Sequence, residues 1–322
     1  MRQLRIFFYA VIFTWAATGL SHADTAAGWL KYSNNPVLGG DLGTCFDVSV
    51  LKEGGKYRMW FSWRPKASIA LVESRDGLHW SAPVIVLGPD RADGWEDDVN
   101  RPVVIKQAGL YRMWFTGQAA GRSAIGYATS RNGIDWNRMS KKPVLSAGEP
   151  WEKVAVMCPD TLWDQQLKLY RMWYSGGEQY EPNAIGYATS PDGLVWTKGK
   201  SNPIFQSDPH LEWEQNRVTA CQVIKDRNSY LMFYIGFRDV SHAQIGVARS
   251  RDGITDWQRL GANPIIQPTE NGWDADACYK PFAIFDDGRW LLWYNGRNGG
   301  SEQIGVVEHK GRDLGFEPTS KP

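Results

Sequence analysis

One aromatic run recurs five times in this chain. It reads YRMWFS from Tyr57, YRMWFT from Tyr111, YRMWYS from Tyr170, YLMFYI from Tyr230 and WLLWYN from Trp290. The steps between copies are 54, 59, 60 and 60 residues. Self-similarity at a near-fixed period marks a repeat architecture. The copy between Asp160 and Phe205 shows what one repeat contains. Four short β-type runs, DTLW, YRMWYS, AIGYATS and LVWTKG, are separated by the turn signals DQQLK, GGEQYEPN and Pro191-Asp192-Gly193. Bounded β-rich runs of this kind read as strands. Four antiparallel strands make a sheet too small to stand alone, so neighbouring repeats must stack. The pattern predicts an all-β chain folded as a five-bladed β-propeller, with four antiparallel strands per blade. Large apolar side chains at the recurring Trp, Tyr and Met positions then fill the wedges between blades.

The N-terminus has a different character. MRQLR is followed by IFFYAVIFTWAATGL and then Ser21-His22-Ala23. A basic start, a short apolar core and small residues at the cleavage positions describe a secretory signal peptide. The spacing predicts cleavage after Ala23 and a periplasmic or extracellular protein. Residues 24–322 then form a single propeller domain. No later stretch is apolar enough to span a bilayer. The segment GWLKYSNNPVL, residues 28–38, resembles the outer strands beginning at Trp136, Trp196 and Trp257. The chain ends soon after the third strand of the fifth repeat, so the N-terminal strand is expected to complete the last blade and cover its edge.

Composition excludes more than it selects. Lys plus Arg number 36 against 35 Asp plus Glu, which leaves no field to attract nucleic acid. The 17 Trp fit both blade packing and carbohydrate stacking. No phosphate-binding loop, dinucleotide fingerprint or GxSxG is present, and no cofactor or metal is expected.

Specific chemistry needs polar residues that do not repeat. Ten residues before each recurring aromatic stand Asp47, Arg101, Asp160, Ala220 and Lys280. Counting places these at one level of the central funnel. Two readings are open there: an internal ion-pair network, Asp47 with Lys280 and Asp160 with Arg101, or a sugar site with paired carboxylates. Between blades the chain repeats Trp-acid, at Trp95-Glu96, Trp151-Glu152, Trp213-Glu214 and Trp273-Asp274. Recurrence gives these acids a scaffold role first.

Five blades, an Asp on the innermost strand of blade one and another on blade three resemble the five-bladed glycoside hydrolases. This is the arabinanase, β-xylosidase and levansucrase group, near families 43, 32 and 130. The repeat YRMWYSG…IGYATSPDG..W is typical of that group, and the resemblance covers the mature chain. It implies a glycosidase acting on a poly- or oligosaccharide. By the family-43 pattern Asp47 in FDVSV is the general base of an inverting reaction, and Asp160 in PDTLW tunes the acid. The pattern's blade-four Glu is missing, since RVTACQVI places Thr219 and Ala220 there, and Val48 replaces the Pro that usually follows the base. The acid must then come from elsewhere: Glu214 just upstream is the first candidate, beside Glu178 and Glu181 in the long loop of blade three and Asp98 and Asp276 before the funnel strands of blades two and five.

The loops on the axis face add candidate substrate contacts: Asp98, Asp276, Trp63, Glu178, Arg238, His242 and Arg297, with Arg101 and Lys280 from the funnel. The arginines suit an anionic glycan, because Arg pairs with carboxylates bidentately. The Asp-Gly turns fall on the opposite face and read as structural. Cys45, Cys158 and Cys278 sit twelve before the reference aromatic and Cys221 nine before. Disulfides Cys45–Cys278 and Cys158–Cys221, or four buried thiols, both fit this placement. The expected partner is a carbohydrate and the expected state a monomer. Two other functions remain open, a non-catalytic glycan-binding propeller and a phosphorylase of the family-130 kind.

Overall fold

In the computed structural model, which describes residues 25–180 and 182–317, the chain is built almost wholly of β-strands. The signal-peptide expectation lies outside the described residues. The strands pair antiparallel in successive groups. The first is Cys45–Glu53, Lys56–Trp63, Ser68–Ser74 and Val84–Leu87. The second is Asp98–Gln107, Leu110–Ala119, Arg122–Ser130 and Asn137–Arg138. The third is Ala155–Asp164, Leu169–Gly177, Pro182–Ser190 and Thr197–Lys198. The fourth is Arg217–Asp226, Ser229–Phe237, Ala243–Ser250 and Gln258–Arg259. The fifth is Ala277–Asp286, Arg289–Asn298 and Ser301–Lys310, beside which the N-terminal Trp29–Lys31 pairs antiparallel. The leading strand of each group lies against the next group's leading strand, and the fifth lies against the first.

Strand alternation explains the stacking. Successive side chains of a strand point to opposite faces. Tyr57, Met59 and Phe61 pack with Leu291, Trp293 and Ile304 of the fifth group. Trp60, on the other face, packs with Tyr111, Met113 and Phe115 of the second. Each of these Trp also reaches the next group's Asp-Gly or Asn-Gly turn. Trp60 donates to the Gly133 carbonyl, Trp114 to Gly193, Trp173 to Gly253 and Trp293 to Gly77. Gly77 has φ +78°, and a Cβ there would lie 2.8 Å from the Trp293 ring. Glycine is therefore needed both for the left-handed turn and for the close approach.

A second recurring device sits farther out. Glu96 pairs with Arg138 (2.8 Å), Glu152 with Lys198 (2.5 Å), Glu214 with Arg259 (2.6 Å) and Asp274 with Lys31 (2.8 Å). All four acids are fully buried. Lys31, from the N-terminal strand, thus takes the place that outer-strand residues take in the other groups.

Candidate active site

The leading strands each carry one bulge, and at the bulge one residue in the left-handed region. These residues are Asp47 (φ 53°), Arg101 (52°), Cys158 (52°), Ala220 (35°) and Lys280 (53°). Non-glycine residues adopt this conformation rarely, and it recurs where structure aims side chains at a site. Here the five line one central cavity of about 40 Å³, with Asp160, Cys221, Gln222 and Phe282 among the other lining residues.

Asp47 is buried between two cations. Its Oδ1 lies 3.7 Å from Lys280 Nζ and its Oδ2 3.9 Å from Arg101 Nε. Ser62 Oγ donates to Oδ2 at 3.3 Å, and the Asp47 amide donates to Asn295 Oδ1 at 3.1 Å. Oδ1 makes no hydrogen bond among the described residues, although it is buried. A buried carboxylate oxygen without a hydrogen bond is costly. Arg101 is steadied by Asn100 Oδ1 (2.7 Å) and Gln118 Oε1 (3.4 Å). Lys280 Nζ donates to Cys158 Sγ at 2.8 Å.

Asp160 does not stand level with Asp47. The hairpin of the third group has four turn residues, 165–168, where the others have two. Counting ten backwards from the aromatic therefore stops two residues short, and Cys158 is the equivalent of Asp47. By register Asp160 matches Ser49, Val103, Gln222 and Phe282. Its role follows from that company. Ser49 Oγ accepts from the Val104 amide (2.9 Å), Asp160 Oδ2 from Val223 (2.8 Å) and Gln222 Oε1 from Ala283 (2.5 Å). All three staple one leading strand to the next. Burial pushes the Asp160 carboxyl up to about 7, against the pull of the Val223 amide. The expected Asp47–Lys280 pair is present, and Arg101 lies near Asp47 as well.

Glu214 is also corrected. Its Oε1 accepts from Arg259 and the Asp208 amide, and its Oε2 from Tyr234 OH (2.6 Å). Both oxygens are taken in a buried pair that recurs in four groups, so Glu214 belongs to the scaffold.

The rim residues each have a local partner. Trp63 donates its indole N–H to Leu42 and carries the Lys66 ammonium over its ring at 5.6 Å. Glu178 pairs with Lys153 (3.1 Å) and Arg217 (3.8 Å). Asp239 holds both Arg238 (3.3 Å) and His242 (2.8 Å). Arg297 donates to the Ser241 carbonyl, and Asp276 accepts from the Gly299 amide (2.7 Å). Asp98 accepts from Asn100 (3.1 Å), the residue that steadies Arg101. Cys158, Asn295, Ser62 and Gln118 were not foreseen at the centre. The Pro that follows three of the left-handed residues, in Arg101-Pro102, Cys158-Pro159 and Lys280-Pro281, is the signal that aligns them. All four cysteines are free thiols.

No family model matches the chain. It is 30% identical to the uncharacterized protein Rv1502 of Mycobacterium tuberculosis over 193 residues, covering 56% of this chain and 63% of that one. It is 30% identical to a 1,2-β-oligomannan phosphorylase of Thermoanaerobacter sp. over 137 residues, 40% of this chain and 45% of the other. It is 22% identical to an N-acetyl-α-D-galactosamine deacetylase of Flavonifractor plautii, covering 86% of this chain and 43% of that protein. The chain thus spans less than two thirds of each of these relatives. Among solved structures it resembles a thermostable family-43 glycoside hydrolase (TM-score 0.69, 18% identity, 89% of this chain and 99% of the other). It equally resembles the subject of a study of family-130 mannoside phosphorylases and hydrolases that target β-1,2 mannosidic linkages (TM-score 0.70, 16% identity, 90% and 96%). The fold is that of the propeller glycoside hydrolases.

Proposed function

We propose that this chain is a glycan-acting enzyme that cleaves glycosidic bonds, with Asp47 as the carboxylate at the reacting centre. The observation that carries it is the buried Asp47 Oδ1, without a hydrogen bond among the described residues and facing a non-repeating cluster of charges at the centre of the ring. The reading takes the five groups as blades of one propeller over residues 24–322, closed by the N-terminal strand and exported by the signal peptide. The ring of leading-strand contacts and the Lys31–Asp274 pair support the closure.

A cavity of about 40 Å³ holds roughly three waters, at about 10–15 Å³ each. The sugar therefore stands at the mouth, among the rim residues, and only the attacking oxygen reaches Asp47. Asp47, flanked by Lys280 and Arg101, is the base that abstracts a proton from water as that water attacks the anomeric carbon. The proton donor is assigned to the rim, with Asp98 first because Asn100 links it to Arg101. The anionic-glycan expectation has little left to stand on. Arg101 and Lys280 are drawn to Asp47, Arg217 to Glu178 and Arg238 to Asp239.

A phosphorolytic variant is the second reading, favoured by the two cations beside Asp47, which suit an attacking phosphate. The test is product analysis over a glycan panel with and without inorganic phosphate. Reducing sugar without phosphate supports hydrolysis, and sugar 1-phosphate supports phosphorolysis. Binding of a glycan with no product in either arm leaves a binding propeller instead.

A further inference from the structure

The cavity contains a nucleophile that glycoside cleavage does not use. Cys158 occupies the left-handed position where other groups place Asp, Arg, Ala and Lys, and its sulfur receives the Lys280 ammonium at 2.8 Å. The chain's other thiols are placed differently. Cys45 is fully buried away from the cavity lining, and burial pushes its thiol up to about 12. Cys278 is fully buried and donates to Asp274 Oδ2 at 3.4 Å, beside a carboxylate that opposes negative charge on sulfur. Cys221 shares the cavity wall, but burial holds its thiol well above the ordinary value, with Asp160 adding to the effect.

Reactive cysteines sit in electropositive, reachable surroundings, and inert ones sit in apolar surroundings. Cys158 alone combines a cation within contact with a wall of the cavity. The cavity's size then selects the reagent. Room for about three waters admits a molecule of two heavy atoms and excludes a bulky disulfide partner.

We propose that Cys158 is a modification site for small hydroperoxides, with Lys280 as the positioning cation. The sulfur attacks one peroxide oxygen, an S–O bond forms and the O–O bond breaks. Sulfur is oxidised by two electrons to the sulfenic acid, and the departing hydroxide takes the thiol proton and leaves as water. The ammonium, 2.8 Å from the sulfur, stabilises the negative charge that gathers on the leaving oxygen. The site is coupled to the centre, because Lys280 also faces Asp47 at 3.7 Å. An oxidised sulfur that draws the ammonium closer draws it away from the carboxylate.

The proposal stands independently of which glycan is cleaved, since its test reads mass. The full chain is treated with hydrogen peroxide, the excess is removed with catalase, the chain is unfolded in dimedone so that the probe reaches every sulfur, and adducts are mapped on the four cysteines. Cys158 is expected to label at least tenfold faster than Cys45, Cys221 and Cys278. Lys280→Met should slow that labelling at least tenfold, and Lys280→Arg, which keeps the cation, should restore most of it. Cys158→Ala should abolish the adduct and keep the melting temperature, because Ala220 occupies the same position in the fourth group. Equal labelling of the four thiols, no adduct on Cys158, or unchanged labelling in a folded Lys280→Met chain overturns the proposal. Should Lys280→Met not fold, a Lys280→Arg chain that labels no faster than the other thiols overturns it as well.

Discussion

Two sets of buried acids lie in this molecule, and their geometry differs. The outer set, Glu96, Glu152, Glu214 and Asp274, contacts its cations at 2.5–2.8 Å. Three of them also accept from a tyrosine hydroxyl, Tyr174, Tyr234 or Tyr294. The inner acid, Asp47, sees its two cations at 3.7 and 3.9 Å and keeps one oxygen without a hydrogen bond. A tight pair repeated from group to group spends its charge on holding strands together. A loose pair whose carboxylate keeps an unsatisfied oxygen leaves a group able to act. Burial and charge are common to both sets; repetition and unsatisfied bonding separate them.

The largest effect should come from removing the N-terminal closure. Deleting residues 24–38 leaves Asp274 buried without Lys31, which costs about 3–5 kcal/mol. It also removes Trp29, whose burial contributes about 1.5–3 kcal/mol. Together these approach the whole stability of a domain. Loss of soluble, folded protein is expected, and an unchanged calorimetric melt would show that the outer pair of the fifth group does no holding.

Asp160 sharpens the comparison from the inside, because it lines the cavity yet belongs with the staples. Its carboxyl is raised from 3.8 to about 7. Between those pH values the folded state keeps a proton that the unfolded chain has lost. Stability therefore falls as pH rises from about 4 to about 7 and is level above, a total of about 4 kcal/mol at about 1.4 kcal/mol per unit. Asp160→Asn keeps an oxygen for the Val223 amide, as Gln222 does for Ala283, at the cost of an unpaired amide donor of about 1–3 kcal/mol. Its melting temperature should exceed that of the wild type at pH 8 and fall below it at pH 4. A variant less stable at both pH values would mean that the ionised carboxylate is needed where it stands.

The smallest effect is expected at Asn295. Its Oδ1 accepts the Asp47 amide, as Ser62, Thr116 and Ser175 accept from Arg101, Cys158 and Ala220. Asn295→Ser should therefore cost less than about 1 kcal/mol in a denaturant melt. A larger loss would mean that the centre is not built on the same plan as its neighbours.

Much of this was legible in the residues. The recurring aromatic run led to the sheet groups, because alternation assigns each of its side chains to one neighbour or the other. The Asp-Gly turns announced their left-handed glycines. The recurrence of Trp-acid marks Glu214 as scaffold, and only its place just upstream of the missing blade-four Glu suggests a proton donor. Asp160 went astray for a different reason. Counting from the aromatic assumes equal hairpins, and Gln165 to Lys168 add two residues. Counting from the left-handed residue and its following Pro corrects this. The distances that separate a tight pair from a loose one, and the small volume of the cavity, arise only when the five strands meet.

The most direct measurement sets Asp47→Asn beside Glu214→Gln, reading turnover and melting temperature on the same preparations. The glycan is the one found in the product screen. For Asp47→Asn the account predicts a turnover lower by about a thousandfold, with glycan affinity and melting temperature largely kept. For Glu214→Gln it predicts the reverse, a stability loss of about 3–5 kcal/mol with the remaining folded enzyme turning over normally. It also predicts no selective rescue of that variant on an activated aryl glycoside. Full activity in Asp47→Asn, or a stable Glu214→Gln that is rescued only by a good leaving group, would contradict the account.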